Sequence, residues 1–470
     1  MKPEEYADLD ATALAALIRD NEISRTEVIE AAIDITERRN PEINAISFEA
    51  FDHARKAAKA HSGEGVFAGV PFLLKEMLGE YPGWPDRKGS RSMAHYVSEQ
   101  STELISRQLA TGVIPMGKTT MPEFGSIAVT ESELFGDTRN PWNLAHTPGG
   151  SSGGAAAAVA AGIAPIAHAN DGAGSIRIPA SCCGLVGFKP SRGRMPQAPE
   201  AELGSGLGIE HVITKSVRDT AAMLDATHGN DIGPPYSAPT PQRPFVDALE
   251  IVPKQLKVAF WTRYWDTGEP THPECLRAVE RTASILTDMG HNLEEQRPEF
   301  DYQALQAAFM KLWVSMSSQM VYGITSDPTL EEFEQYTLDL AKLGRDLSAT
   351  EFIAARDHVM KLGRLFGAFH KEYDLLLTTT LGRPPIKIGE WRRDSLFNDP
   401  EVQRSFMLCS GLANATGQPA ISLPLHITED GLPVGVMLTA AYGKEELLLS
   451  VAAELERALP WTERKPTLWA

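Results

Sequence analysis

The sequence predicts an α/β protein built on a central twisted mixed β-sheet covered by helices on both faces. Two observations carry this expectation. Short apolar runs, of a length suited to buried strands, alternate along the chain with stretches of helical period. No fixed-period repeat or low-complexity tail interrupts that alternation. At 470 residues, 43% hydrophobic and 23% charged, the chain has ample material for a large core, which excludes a disordered or fibrous protein.

Residues 10–19 read as an amphipathic helix, and Ser24, with Glu27 at capping-box spacing, opens a second. A polar helix over 51–61 leads through a glycine-bounded segment to the apolar run 70–74, a buried strand that ends at Lys75. Helix 102–110 feeds strand 113–116, and the alanine-rich helix 155–161 feeds strand 165–169. Residues 184–208, rich in glycine, proline and polar side chains, read as irregular; helix 216–228 follows, and the proline-dense linker 233–244 is the best candidate boundary. Strand 256–261, helix 273–289 and strand 291–295 make a βαβ-like unit, followed by helices over 302–320 and 350–369. Strands 374–379, 419–425 and 434–438 and a closing helix 444–458 complete the chain.

Lys and Arg number 44 against 62 Asp and Glu, a net charge of −18 that repels phosphate backbones and anionic lipid in the absence of a segregated basic run. No apolar window approaches the roughly 18 residues of a membrane span, and the opening residues carry acids where a signal peptide needs basic and then apolar ones. A cytoplasmic, soluble protein with neither nucleic-acid nor membrane partners is expected. Cys182, Cys183, Cys275 and Cys409 are too few and irregular for a disulfide framework and show no CxxC spacing, so they read as reduced thiols packed as small hydrophobes.

Three motifs bear on chemistry. Gly112 to Thr119 satisfies GxxxxGK[ST], yet a helix precedes it and its loop is itself the strand 113–116, so it reads as a decoy for a phosphate loop. Gly149-Gly150-Ser151-Ser152-Gly153-Gly154 contains GxSxG, but polar, proline-punctuated residues precede it where a nucleophile elbow needs a buried strand. One helix and one strand later comes Asn170-Asp171-Gly172-Ala173-Gly174-Ser175-Ile176-Arg177-Ile178-Pro179, and that connection can bring Ser151 and Ser175 together. Successive N–H groups along small residues can converge on an oxygen that is gaining negative charge. Such a hydroxyl needs a base; His146 and His168 read as structural, and Lys75 is the alternative base.

Lys75 after its apolar strand, the Gly-Gly-Ser-Ser-Gly-Gly turn and the Asp-Gly-Ala-Gly-Ser-Ile-Arg-Ile-Pro run together resemble the amidase signature family of Ser-cisSer-Lys hydrolases. The likeness extends to Gly117–Phe124, Thr138–Asn143, Cys183–Pro190 and Gly417–Pro424, covering roughly residues 10–460. Within the family the 170–175 run and the ending 418–456 look most similar to the cyclic-dimer hydrolases that act on nylon oligomers.

The resemblance implies a single amidase-signature domain: an N-terminal helical layer (1–62), a catalytic core (63–230), a substrate-covering region (231–400) and a C-terminal return to the sheet (401–470). It places the nucleophile on Ser175, the cis-peptide serine on Ser151 and the base on Lys75. The N–H groups of Gly172, Ala173, Gly174 and Ser175 form the oxyanion hole, and Ser152, Asp171 and Arg177 support the site. Burial by strand 70–74 must depress the lysine pKa from about 10.4 for it to accept a proton near neutrality. Glu76 follows Lys75, where relatives carry Asp, and could equally be a solvated surface acid.

Specificity is expected from the region 302–322 and the loops 126–137 and 383–398, with Gly125, Ser126, Trp313 and Met316 touching substrate and Met320, Tyr322, Trp391 and Phe397 adding apolar surface. The implied activity is hydrolysis of a linear or cyclic amide by an acyl-enzyme route, with 6-aminohexanoate oligomers as candidate substrates. No cofactor or metal is needed; the partners are a small amide and water, with a homodimer as candidate assembly. Aryl acylamidase or carbamate hydrolase activity and a tRNA-dependent amidotransferase A subunit are the alternatives inside the family. A histidine-dependent α/β-hydrolase esterase and a non-enzymatic amide-binding protein lie outside it.

Overall fold

The computed structural model describes residues 1–391, 393–394, 400–408 and 410–470. Expectations for Phe397 and Cys409 lie outside these residues. In chain order the strands are β1 (Ile46–Glu49), β2 (Pro71–Lys75), β3 (Ile114–Thr119), β4 (Glu131–Ser132), β5 (Gly136–Asp137), β6 (Ile166–Asp171), β7 (Val186–Lys189), β8 (Ile209–Thr214), β9 (Lys257–Phe260), β10 (Asn292–Glu295), β11 (Leu375–Thr379), β12 (Ala420–Ile427) and β13 (Pro433–Ala440). Eleven of them form one sheet in the order β1-β3-β2-β6-β8-β7-β12-β13-β11-β9-β10, while β4 and β5 pair as a small hairpin. β2 is parallel to β3 and β6, and β9 to β10 and β11; the other neighbours run antiparallel, which makes the sheet mixed.

Side chains alternate between the two faces of a strand, and each face has its own core. Leu375, Leu377, Val436 and Leu438 pack with the helix Glu445–Ala458 on one side. Leu376 and Met437 pack with the helices Tyr302–Ile324 and Ala349–Phe369 on the other. The chain loops through 233–244, yet β9 to β13 add to the same sheet as β2, β3, β6, β7 and β8, so this segment separates no second large sheet. No helix among the described residues is long and apolar enough to cross a membrane.

Five strands depart from the expectation, among them the short pair β4 and β5 inside the expected loop 126–137. β1 was not anticipated; β7 lies inside the stretch expected to be irregular; and β8 escapes the periodicity because Glu210 and His211 interrupt its apolar run although every residue is buried. Helices Arg177–Cys183 and Gln335–Arg345 are likewise additional. The phosphate-loop pattern lies largely within β3. Lys118 is fully buried and donates to Asp86 Oδ1 at 2.7 Å and Gly79 O at 2.9 Å, and a Cβ on Gly117 would stand 2.2 Å from Phe48 O. Neither residue is open to a phosphate.

Candidate active site

β2 and β6 are parallel neighbours, so Lys75 and Asp171 end adjacent strands at the same edge. The turn before the helix Gly153–Ala160 brings Ser151 and Ser152 to that edge, and the Ser152 N–H donates to Ser175 O at 3.3 Å. The Gly150–Ser151 peptide is cis.

Lys75 is fully buried, with Nζ 2.7 Å from Ser151 Oγ, 2.9 Å from Ser152 Oγ and 2.6 Å from Asn170 Oδ1. Burial pushes its pKa down from 10.5 to about 7 against the pull of Asp171 and Glu210. A neutral amine has two hydrogens and one lone pair. Asn170 Oδ1 can only accept, its amide nitrogen being turned to Met77 O at 2.9 Å, and the Ser152 hydroxyl donates to Asn170 O at 3.3 Å. The lone pair therefore falls to the Ser151 hydroxyl. Ser175 Oγ has no hydrogen-bond partner among the described residues and faces open space.

Asp171 organises the loop that carries Ser175. Its buried carboxylate receives Arg177 Nε at 2.9 Å, Arg177 Nη2 at 3.0 Å and Asn414 Nδ2 at 2.9 Å, and also accepts the N–H of Gly174 (2.6 Å) and Ile176 (3.2 Å). Burial alone would raise its pKa; the Arg177 guanidinium outweighs burial and holds it at about 2. This corrects the expected oxyanion hole. The Gly174 N–H is committed to Asp171, leaving those of Gly172, Ala173 and Ser175 for an incoming oxygen. Gly174 has φ +121°, and a Cβ there would meet Ser410 Oγ at 2.6 Å. Ser410 in turn donates to Ala173 O at 2.7 Å.

Two cavities flank Ser175, and both are lined by Gly125, Ser126 and Trp313. The first, about 240 Å³, is walled by Ala128, Tyr302, Phe309, Trp391 and Leu412. The second, about 390 Å³, contains Ser151, Met77, Met316 and Met320, with Lys88, Glu200 and Glu202 also on its wall. Tyr322 instead packs in a separate cluster with Phe124 and Phe333, beneath Arg345. Glu76 is fully buried against Arg87 and Ser47 rather than solvated. His146 borders a different cavity, and His168 lies buried against the Lys75 backbone. Cys182, Cys183 and Cys275 are free and buried.

Asn170 and Asn414 escaped the sequence reading. Asn170 opens the 170–179 run, directly before Asp171. Asn414, far along the chain, carried no local signal, yet it holds Asp171 O, Asp171 Oδ1 and Leu207 O, each at 2.9 Å.

The sequence profile of the Amidase family matches residues 27–449. The chain is 37% identical to the 6-aminohexanoate-cyclic-dimer hydrolase of Paenarthrobacter ureafaciens, over 98% of this chain and 96% of that protein. It is 39% identical to the putative amidase AmiC of Mycobacterium tuberculosis, over 97% and 96% respectively. A solved structure of 6-aminohexanoate cyclic dimer hydrolase superposes with a TM-score of 0.93 at 37% identity, covering 98% of this chain and 99% of that one.

Proposed function

Because the chain belongs to the amidase signature family, whose members hydrolyse amide C–N bonds, we propose that it cleaves neutral secondary amides by acyl transfer, with linear or cyclic 6-aminohexanoate oligomers as the leading substrate class. Ser175 is the nucleophile, Ser151 the relay and Lys75 the base. The observation that carries this reading is the arrangement around Lys75 Nζ, where only the Ser151 hydroxyl can donate to the lysine lone pair.

As Ser175 Oγ attacks the carbonyl carbon, its proton passes to Ser151 while the Ser151 proton passes to Lys75. The carbonyl oxygen gains charge against the free N–H groups, of which one can be worth about 3 kcal/mol of barrier. Collapse breaks the C–N bond, and the lysine proton returns through Ser151 to the departing nitrogen. Water then cleaves the acyl-enzyme by the same path. Ser151 lines only the second cavity, so the leaving amine occupies that side and the acyl group occupies the first, aromatic-walled one. The aromatic wall of the first cavity and the Met77, Met316 and Met320 side chains of the second, which also carries Lys88, Glu200 and Glu202, favour amides carrying a chain on carbon and on nitrogen alike. The buried free thiols support a reducing, cytoplasmic setting.

A serine-reactive fluorophosphonate is expected to label Ser175 and to fail on Ser175→Ala; unchanged labelling of that variant would sink the assignment. A turnover screen of linear, cyclic and aryl amides with a carbamate, using Ser175→Ala as blank, tests the substrate class.

A further inference from the structure

His168 and Glu210 form a buried titratable pair behind Lys75 that the hydrolytic scheme does not use, and neither lines the cavities beside Ser175. His168 and Asn170 stand two residues apart on β6 and so share a face. Glu210 on β8 is the cross-strand partner of Asn170, the residue that holds Lys75 Nζ. His168 Nδ1 accepts the Lys75 backbone N–H at 3.4 Å. A ring nitrogen that accepts carries no hydrogen, so the imidazole is neutral and its hydrogen sits on Nε2, which donates to Glu210 Oε2 at 2.9 Å. Burial likewise pushes His168 well below its ordinary pKa, and the neighbouring Lys75, Lys118 and His211 add to that.

Glu210 is 3% exposed, and among the described residues no lysine or arginine lies within ion-pair distance of it. The other charged groups facing it are Lys75 from β2, Glu80 and Asp86 from the segment after β2, and Glu200 from the loop before β8. Burial and the three acids push its carboxyl well above the usual range, with Lys75 opposing. A buried carboxylate with one neutral donor costs more than the protonated acid.

We propose that His168 and a protonated Glu210 are a positioning pair for Lys75, fixing its backbone while leaving its amine without a counter-ion. This rests on the reading of Lys75 as the base. An ionised Glu210 would instead pull the lysine pKa upward, against the burial that depresses it.

Glu210→Gln keeps the shape and an oxygen for the Nε2–H but cannot ionise. Infrared difference spectra of wild type against Glu210→Gln, in buffer alkaline enough to ionise Glu334, whose carboxyl burial and the neighbouring Glu123 push up to about 8, are expected to show a protonated-carboxyl stretch lost in the variant. No such band in the wild type overturns the proposal. Wild-type protein labelled at glutamate carboxyl carbons gives the same reading should the variant fail to fold. Neither spectrum needs substrate, so this proposal and the hydrolytic one fail separately. In kinetics, Glu210→Gln is expected to hold kcat/KM within about threefold of wild type, with the acid limb of its pH profile unmoved. A limb displaced to lower pH means that Glu210 is ionised in the native protein, which refutes the pair's role. His168→Leu is expected to lower kcat about tenfold or more at constant KM, whereas a raised KM with kcat intact counts against positioning.

Discussion

Replacing Lys75 by methionine is expected to abolish turnover and to stabilise the fold near neutral pH. In the unfolded chain Lys75 holds its proton up to about pH 10.5, whereas in the folded protein burial makes it give the proton up at about 7. Between those values the unfolded state binds one more proton, so wild-type stability rises with pH. The displacement of about 3.5 pH units corresponds to about 5 kcal/mol of folding free energy forgone near pH 7. Methionine removes that cost but strips Asn170 Oδ1 of its donor, worth ~1–3 kcal/mol. The net gain is about 2–4 kcal/mol near pH 7, declining by about 1.4 kcal/mol per pH unit on the way to the unfolded value. Urea unfolding of both proteins, stepped from about pH 7 to about pH 9.5, reads this difference. A difference that does not change with pH would show that Lys75 keeps its proton in the folded protein, and the assignment of the base would fall with it.

Asp171→Asn leaves the Arg177 guanidinium buried without its counter-charge, an expected loss of ~3–5 kcal/mol in denaturant stability together with a fall in kcat. Because Asp171 is held at about 2, the stability it contributes is present above the ordinary carboxylate range and disappears as pH falls through 2; a variant as acid-resistant and stable as wild type would contradict the pairing. Gly174→Ala places a Cβ at φ +121° and 2.6 Å from Ser410 Oγ, for an expected cost of ~1–3 kcal/mol and impaired turnover; unaltered kcat would show that the loop tolerates a side chain there. Lys118→Ala leaves the buried Asp86 with only the more distant Lys88, 3.9 Å away, and is expected to lower stability in urea unfolding by ~3–5 kcal/mol. Wild-type protein should show no thermal shift with magnesium-ATP, and a clear shift would revive the phosphate-loop reading of residues 112–119.

What could be read from the chain was whatever local chemistry dictates. The uninterrupted apolar run before Lys75 has few alternatives to a buried strand, and Ser24 with Glu27 caps its helix through reciprocal bonds three residues apart. The small residues around Ser151 and Ser175 marked exposed backbone because glycine and alanine leave N–H groups unshielded. The strand β8 was hidden for the converse reason: Glu210 and His211 look solvated until a neighbouring strand supplies His168 as partner to Glu210 and the fold closes over both.

Side-chain direction and long-range pairing were decided by the tertiary structure alone. Asp171 takes up the Gly174 N–H, Asn414 reaches back over 243 residues to brace Asp171, and Glu76 turns inward to Arg87. None of these follows from spacing, because each depends on which distant group arrives within about 3 Å once the sheet has set its order. The sequence determined which residues could do the chemistry, and burial in the assembled sheet decided that an ordinary lysine has its pKa pushed down to about 7.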